Sequence, residues 1–345
     1  MVDAWQRIVE FIRASHCSDV FLSRCSVTGR VDGRIVRLSA ADDFSEEEFD
    51  SLIRALFKDR ADLLQTLDQP MPSIDFSTEM HGMRFRVNVG RAQHKLAVAL
   101  RPLPEVPPSP DELGIPEKVI KAVTEAPKGL ALLTGSTGSG KTTSLASLIE
   151  KINESREVKI ITIEDPIEFI FRNEFADITQ REVVVDCASF HSGARDAMRQ
   201  NPDVIAIGEI RDQETAIVGL QAAETGHLVF ATLHANNVQE TPERLLKLLP
   251  AEMRDRARDV LSSVVVAILS QVLLPRRDGG RIALREILLH DETIKSVLKN
   301  GKDHELEHYM RSGRLVGMVD RKTHLKSIRS KVEPREYERW TEALD

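Results

Sequence analysis

One run of nine residues carries the plainest chemistry in the sequence. Gly135, Ser136, Thr137, Gly138, Ser139, Gly140, Lys141, Thr142 and Thr143 read G-x-x-x-x-G-K-T-T. Glycines at this spacing let successive backbone N–H groups turn toward one point. The helical stretch that follows adds its positive dipole end, and the two together cradle phosphate. Lys141 brings a point charge to the β- and γ-phosphates, and the Thr142 hydroxyl is suited to ligate Mg2+. ATP or another nucleoside triphosphate is the expected ligand, with Mg2+ as its companion.

Hydrolysis needs acidic groups as well, and an open α/β sheet gathers its ligands at the carboxyl ends of its strands. Two apolar runs end in acid. Residues 159–163 (KIITI) lead into Glu164, Asp165 and Pro166, and residues 204–207 (VIAI) lead into Gly208, Glu209, Ile210, Arg211 and Asp212. Two roles await them, a water-mediated hold on Mg2+ and a general base for the attacking water. A lone carboxylate after a strand often only caps a helix, so the pair carries more weight than either member. A further run, 228–233, is flanked by His227 and His234. Side chains seven residues apart on a strand point to opposite faces, which excludes a shared metal. His234, at the carboxyl end, is within reach of the γ-phosphate or a catalytic carboxylate. His227 is expected to tie down a neighbouring loop, and a hydrogen-bonded structural role is the alternative for each.

The elements that position these residues are strands alternating with helices. Residues 129–134, 159–163, 204–207 and 228–233 are continuous apolar runs with helical stretches between them, the pattern of a parallel sheet buried on both faces in an α/β fold. The glycine-rich loop follows the first strand and precedes a helical stretch at 142–153. From 291 onward the chain is charged and helical, either a solvated helical face or a subunit or partner contact. Upstream the pattern is α+β. A helix is predicted over 5–14, short strands at 19–23, 29–32 and 35–38 with a turn at Asp32-Gly33, and a helix over 46–58 opened by Ser45 with Glu48 at the capping-box position. Residues 83–89 and 95–100 alternate, placing Arg84, Arg86 and Asn88 on one face of the first. A small sheet with helices on one side is expected. Between the halves, Pro102, Pro104, Pro107, Pro108, Pro110 and Pro116 predict an extended, semi-rigid linker.

A chain of 345 residues accommodates two domains. Acidic residues outnumber basic ones 54 to 47, for a formal charge of −7, and aromatics make up 5%. That balance argues against a global grip on nucleic acid and against a stacking surface for single strands, so no direct nucleic-acid partner is expected. Cys17, Cys25 and Cys187 suit a reducing compartment, and the spacing of Cys17 and Cys25 fits no standard metal-ligand pair. The amphipathic, charged start lacks the features of a signal peptide, and the longest apolar stretch, 264–274, is too short to span a bilayer. A soluble, cytoplasmic protein is expected.

These motifs, in this order and spacing, resemble the secretion ATPase superfamily, the motors of type IV pili, type II secretion, and type IV secretion or conjugation. The glycine-rich loop resembles its Walker A box, residues 161–169 its Asp box, 201–212 its Walker B box and 225–236 its His box. Residues 18–22, 29–33 and 82–88 resemble the PAS-like amino-terminal domain of the pilus retraction ATPases. The resemblance implies a PAS-like domain at 1–101, a Pro-rich hinge at 102–116, a RecA-like ATPase domain at 117–290 and a charged helical region at 291–345. It also implies Glu164 as the carboxylate that activates water, Glu209 as the holder of Mg2+ through water or a sharer of the base role, and His234 as a γ-phosphate sensor. Arg84, Arg86 and Arg101 match arginines that reach the nucleotide of an adjacent subunit; a solvated strand face is their other reading. Members act as homo-hexamers at the cytoplasmic face of the inner membrane, against a platform protein of a pilus or secretion machine. Departures narrow the subfamily. The four-cysteine zinc module of assembly ATPases is absent from the sequence, Thr293-Ile294-Lys295 stands where retraction motors carry Ala-Ile-Arg, and residues 279–289 (GGRIALREILL) look closer to type IVB secretion and conjugation ATPases. Two further classes compete with a motor: a nucleic-acid-dependent ATPase on the same core fold, and a regulatory nucleotide-binding protein without turnover.

Overall fold

The computed structural model describes residues 4–15, 17–23, 26–31, 34–38, 44–58, 63, 73–92, 95–313 and 317–344. The turn expected at Asp32-Gly33, and Cys25, lie outside the described residues. The chain divides into two compact units, Met1–Val106 with Pro166–Ile170, and Pro107–Asp165 with Phe171–Asp345.

The first unit is a six-stranded antiparallel sheet. Its strands are β1 (Asp19–Ser23), β2 (Ser26–Val31), β3 (Arg34–Arg37), β4 (Ile74–Met80), β5 (Met83–Ala92) and β6 (Lys95–Leu103), in the order β3-β2-β1-β6-β5-β4. Phe85, Val87 and Val89 of β5 are buried while the alternate residues are not, as strand alternation requires. Helix α1 (Ala4–Ser15) buries Trp5, Ile8, Val9 and Ile12, and helix α2 (Glu46–Leu56) buries Phe49, Leu52 and Ile53; both join the inward face of the sheet in one apolar cluster. Ser45 and Glu48 form the full capping box at the start of α2, which satisfies two of the helix's orphan N–H groups. The Trp5 indole N–H donates to the Leu52 carbonyl at 3.1 Å and so fixes one helix to the other.

The second unit is built on a seven-stranded sheet in the order β13-β12-β7-β11-β10-β8-β9. The strands are β7 (Gly129–Thr134), β8 (Lys159–Glu164), β9 (Asp177–Glu182), β10 (Val204–Ile207), β11 (Leu228–Leu233), β12 (Val265–Pro275) and β13 (Arg281–Leu289). Every pairing is parallel except that of β13 with β12. The three central strands β7, β10 and β11 are buried along their whole length, because helices cover both faces of a parallel sheet. Helices α3 (Glu117–Thr124), α4 (Lys141–Asn153), α5 (Phe190–Ala197), α6 (Gln213–Glu224), α7 (Glu240–Lys247) and α8 (Ala251–Val264) follow in turn.

Residues 107–116 pack with this second unit and do not run as a free connector. Ser109 and Glu112 cap each other reciprocally through Ser109 N–H to Glu112 Oε2 (2.8 Å) and Glu112 N–H to Ser109 Oγ (3.3 Å). Ile115 is 2% exposed in the main apolar core. The prolines set the local backbone, but one isoleucine supplies enough apolar surface to dock the stretch. The region from 291 is helical: α9 (Glu292–Lys299), α10 (Leu306–Ser312), α11 (Arg321–Ser327) and α12 (Pro334–Leu344). Part of it packs within the chain, with Leu325, Ile328 and Val332 in one apolar cluster with Leu274 and Leu284 of the β12–β13 hairpin.

Candidate nucleotide site

Register alone brings the predicted residues to one edge. Thr134 lies level with Leu233, Ala231 with Ile207, and Ile207 with Ile163. All four strands are parallel, so the loop after β7, Glu164 at the end of β8, Glu209 after β10 and His234 after β11 emerge at the same end of the sheet. Gly135 to Gly140 form the loop, and Lys141, Thr142 and Thr143 open α4.

The loop has the form a phosphate cradle requires. Gly135, Gly138 and Gly140 take φ of 144°, 76° and 84°, conformations that L side chains rarely adopt. A Cβ on Gly135 would lie 2.3 Å from the Gln271 carbonyl oxygen and 2.5 Å from Ser139 Oγ. Among the described residues no side chain caps the amino end of α4, so its first N–H groups and its dipole remain available to an anion. Lys141 Nζ donates to the carbonyls of Gly135 (2.8 Å) and Ser136 (2.9 Å). Burial lowers its pKa, and the negative charge of Glu209 works in the opposite direction. Ser139 Oγ is buried with no hydrogen-bond partner among the described residues, as expected of a group that meets a ligand or water.

Glu164 is fixed by neutral donors: the Thr162 hydroxyl at 2.6 Å and the Gln180 amide at 3.0 Å, both to Oε1. Thr142, Thr162, Glu164 and Gly208 line one small cavity of about 20 Å³, room for about one water molecule. Glu209, with its side chain 13% exposed, lies 3.0 Å from His234 Nε2 and 2.7 Å from Arg211 Nη2. Arg211 also approaches Asp165 at 3.8 Å, and its hydrogen bond to Glu209 raises its already high pKa. His227 Nδ1 sits 2.9 Å from the Ala222 carbonyl, at the opposite end of β11 from His234.

The segment after His234 is tied down from β13. Glu286 accepts from Val238 N–H at 2.8 Å, and Arg321 Nη2 donates to the Asn236 carbonyl at 2.8 Å while its Nε lies 3.3 Å from Glu286. Burial raises the pKa of Glu286, with the charge of Arg321 opposing.

Arg84, Arg86 and Arg101 belong to the first unit. Arg86 lies directly opposite Arg101 on β5 and β6, an arrangement of like charges that an anion or acidic neighbours must offset. Arg101 pairs with Asp19 at 2.9 Å, and Arg86 stands 3.9 Å from Asp75. Arg84 donates to the carbonyls of Ile167 (3.1 Å) and Glu168 (3.4 Å), which belong to the same unit.

Thr162, Gln180 and Arg211 were not among the residues expected at the site. Thr162 precedes Glu164 by two and so shares its strand face, a signal the alternation contains. Gln180 comes from β9, whose presence the sequence pattern does not disclose.

Residues 72–337 match the family model described as Type II/IV secretion system protein. The chain is 37% identical over 292 residues to the type IV pilus retraction ATPase PilT of Pseudomonas aeruginosa, covering 84% of this chain and 83% of that one. Among solved structures, the pilus retraction motor PilT with bound ADP superposes with a TM-score of 0.82 at 34% identity, over 98% of this chain and 100% of that one. The ATPase DotB of Legionella pneumophila superposes with a TM-score of 0.81 at 28% identity, over 98% and 95%. On this family match, over most of its length, the chain belongs to the type II/IV secretion system protein family.

Proposed function

We propose that this chain is an ATP-hydrolysing motor of a type IV pilus, of the retraction kind, or of a related type IV secretion or conjugation machine. The observation that carries it is the convergence, at one edge of a parallel sheet, of a phosphate cradle with Lys141, a fixed Glu164, and a Glu209–His234 pair. Its similarity to a pilus retraction ATPase along most of the length supports the same reading.

Mg2+ fits the oxygen donors at this edge of the sheet, the Thr142 hydroxyl in the first turn of α4 and the carboxylates of Glu164 at the end of β8 and Glu209 after β10. When bound, it supplies charge neutralisation at the β- and γ-phosphates. Thr142 and, through water, Glu209 would hold it. Lys141 and the loop N–H groups bind the phosphates, and Glu164, its orientation set by Thr162 and Gln180, takes the proton from the attacking water. His234 reports the γ-phosphate to Glu209 through their 3.0 Å contact. Positioning and electrostatic stabilisation supply most of the rate. Arg84, Arg86 and Arg101 act on the nucleotide of a neighbouring subunit in a homo-hexamer, with residues 102–116 near the point where the two units move. The work is delivered to a platform protein at the cytoplasmic face of the inner membrane.

Three experiments test this. Purified Glu209→Gln retains nucleotide binding and loses turnover by about 100-fold or more, because the amide keeps the shape and removes the charge; undiminished phosphate release would refute the assignment. In cells lacking the gene, abundant pili that no longer shorten identify a retraction motor, and normal pili with lost DNA or protein transfer identify a secretion or conjugation motor. Stimulation of turnover by single-stranded DNA would overturn both in favour of a nucleic-acid-dependent ATPase.

A further inference from the structure

The phosphate loop is held from behind by a buried polar pair on the two strands at the sheet's edge. Ser270 of β12 lies level with Thr134, the last residue before the loop, and the next residue, Gln271, sits opposite Arg285 of β13. Gln271 and Arg285 are each 2% exposed. The Gln271 amide donates from Nε2 to the Ser139 carbonyl at 2.7 Å. Its Oε1 accepts from Ser144 Oγ at 3.0 Å and from Arg285 Nε at 3.3 Å. Arg285 donates a further hydrogen bond to the Leu113 carbonyl at 2.6 Å, and among the described residues no carboxylate pairs with it. A guanidinium without a counter-ion is costly to bury, and among the described residues its hydrogen bonds go to neutral acceptors.

The geometry assigns that cost a purpose. A glutamine amide can turn over and exchange its donor for its acceptor. The Arg285 Nε–H can only donate, so the orientation with Oε1 against it is the satisfied one, and it presents the NH2 group to Ser139. The carbonyl of Ser139 and the N–H of Gly140 belong to one planar trans peptide and point in opposite directions. A carbonyl drawn back onto Gln271 therefore turns the Gly140 N–H outward, toward the side where the phosphate binds. Gly140 must also leave room, since a Cβ there would lie 3.1 Å from Gln271 Nε2.

We propose that Gln271, oriented by Arg285, is a positioning residue that presets the Ser139–Gly140 peptide for phosphate. This rests on the nucleotide reading of the loop. The test is Gln271→Glu in the full-length chain. The carboxylate gives Arg285 a counter-ion and so preserves the fold, but it faces the Ser139 carbonyl with an acceptor in place of a donor. Titration with fluorescent N-methylanthraniloyl-ADP and Mg2+ is expected to show a dissociation constant raised about tenfold, the effect of one lost phosphate-directed N–H bond, with the thermal midpoint unchanged or higher. Partial unfolding would lower the number of sites per chain and leave the affinity of each site alone, so the two effects separate within one titration. An unchanged affinity per site overturns the proposal, whatever happens to stability. A wild-type chain that does not bind the probe overturns the nucleotide reading itself, a failure visible before any variant is made.

Discussion

Protonation of one histidine should set how the second unit fails in acid. His324 of α11 accepts a hydrogen bond at Nδ1 from the backbone N–H of Arg285, at 3.1 Å. That bond requires a bare Nδ1, and hence a neutral ring. Burial, reinforced by the positive charge of Arg285, brings the His324 pKa down to about 4, against about 6.5 in an unfolded chain. Between those values the unfolded state binds a proton that the folded state refuses, so stability falls as pH falls. From pH 7 to pH 5 the difference amounts to about 2 kcal/mol for this one group. The perturbation that isolates it is His324→Asn, whose side-chain oxygen still accepts from Arg285 but does not titrate. Both chains should carry Trp5→Phe, leaving Trp340 as the fluorescent reporter of the second unit. Urea midpoints read at pH 7, 6 and 5 are expected to fall steeply for the parent and to flatten for the asparagine variant over this window. If the two lose stability in parallel, His324 titrates normally in the folded chain and the burial argument is wrong.

Two further outcomes follow from backbone geometry. Gly135→Ala places a methyl 2.3 Å from the Gln271 carbonyl at a φ of 144°, so the loop must shift; we expect a loss of about 1–3 kcal/mol, read as a ten- to hundredfold weaker nucleotide affinity, and an unaffected Kd would contradict the described loop. Val184 is a β-branched residue at φ 71° with 76% of its surface exposed, a conformation that asparagine tolerates far better. Val184→Asn should raise stability by about 1 kcal/mol in the same urea assay, and a lower midpoint would show that the valine side chain contributes packing not evident from its exposure.

The central strands were legible because burial on both faces makes them continuous apolar runs: β7, β10 and β11 occupy the expected residues, and β8 extends one residue further, to Glu164 itself. The edge strands were not. Residues 177–182 (DITQRE) bury only their last member fully and are held by backbone pairing to β8, so no side-chain period marks them. The stretch 264–274 is apolar enough to read as either helix or strand, and the chain in fact passes from α8 into β12 between Val264 and Val265 without a loop. Gln271 is the informative exception within it. A single amide in such a run has to find buried partners, but nothing in the spacing says that they lie on the phosphate loop 132 residues earlier. The site's chemistry was therefore readable from its motifs, and its supports were not.

Arg285 and Glu286 are neighbours on β13, and neighbours on a strand serve opposite faces of the sheet. One reaches Gln271 behind the phosphate loop, while the other reaches Val238 behind the loop that carries His234. Their assignment depends on a nine-pair ladder with β12, from Ala267 opposite Leu289 to Pro275 opposite Arg281. A slip of one residue would turn each of them to the other face, so the phosphate loop would lose its cation and the histidine loop its carboxylate. The hairpin thus encodes a polarity by counting. Natural variation in length should collect in the turn at 276–280, while a single residue inserted within the paired strands, unless absorbed as a bulge, would withdraw both supports.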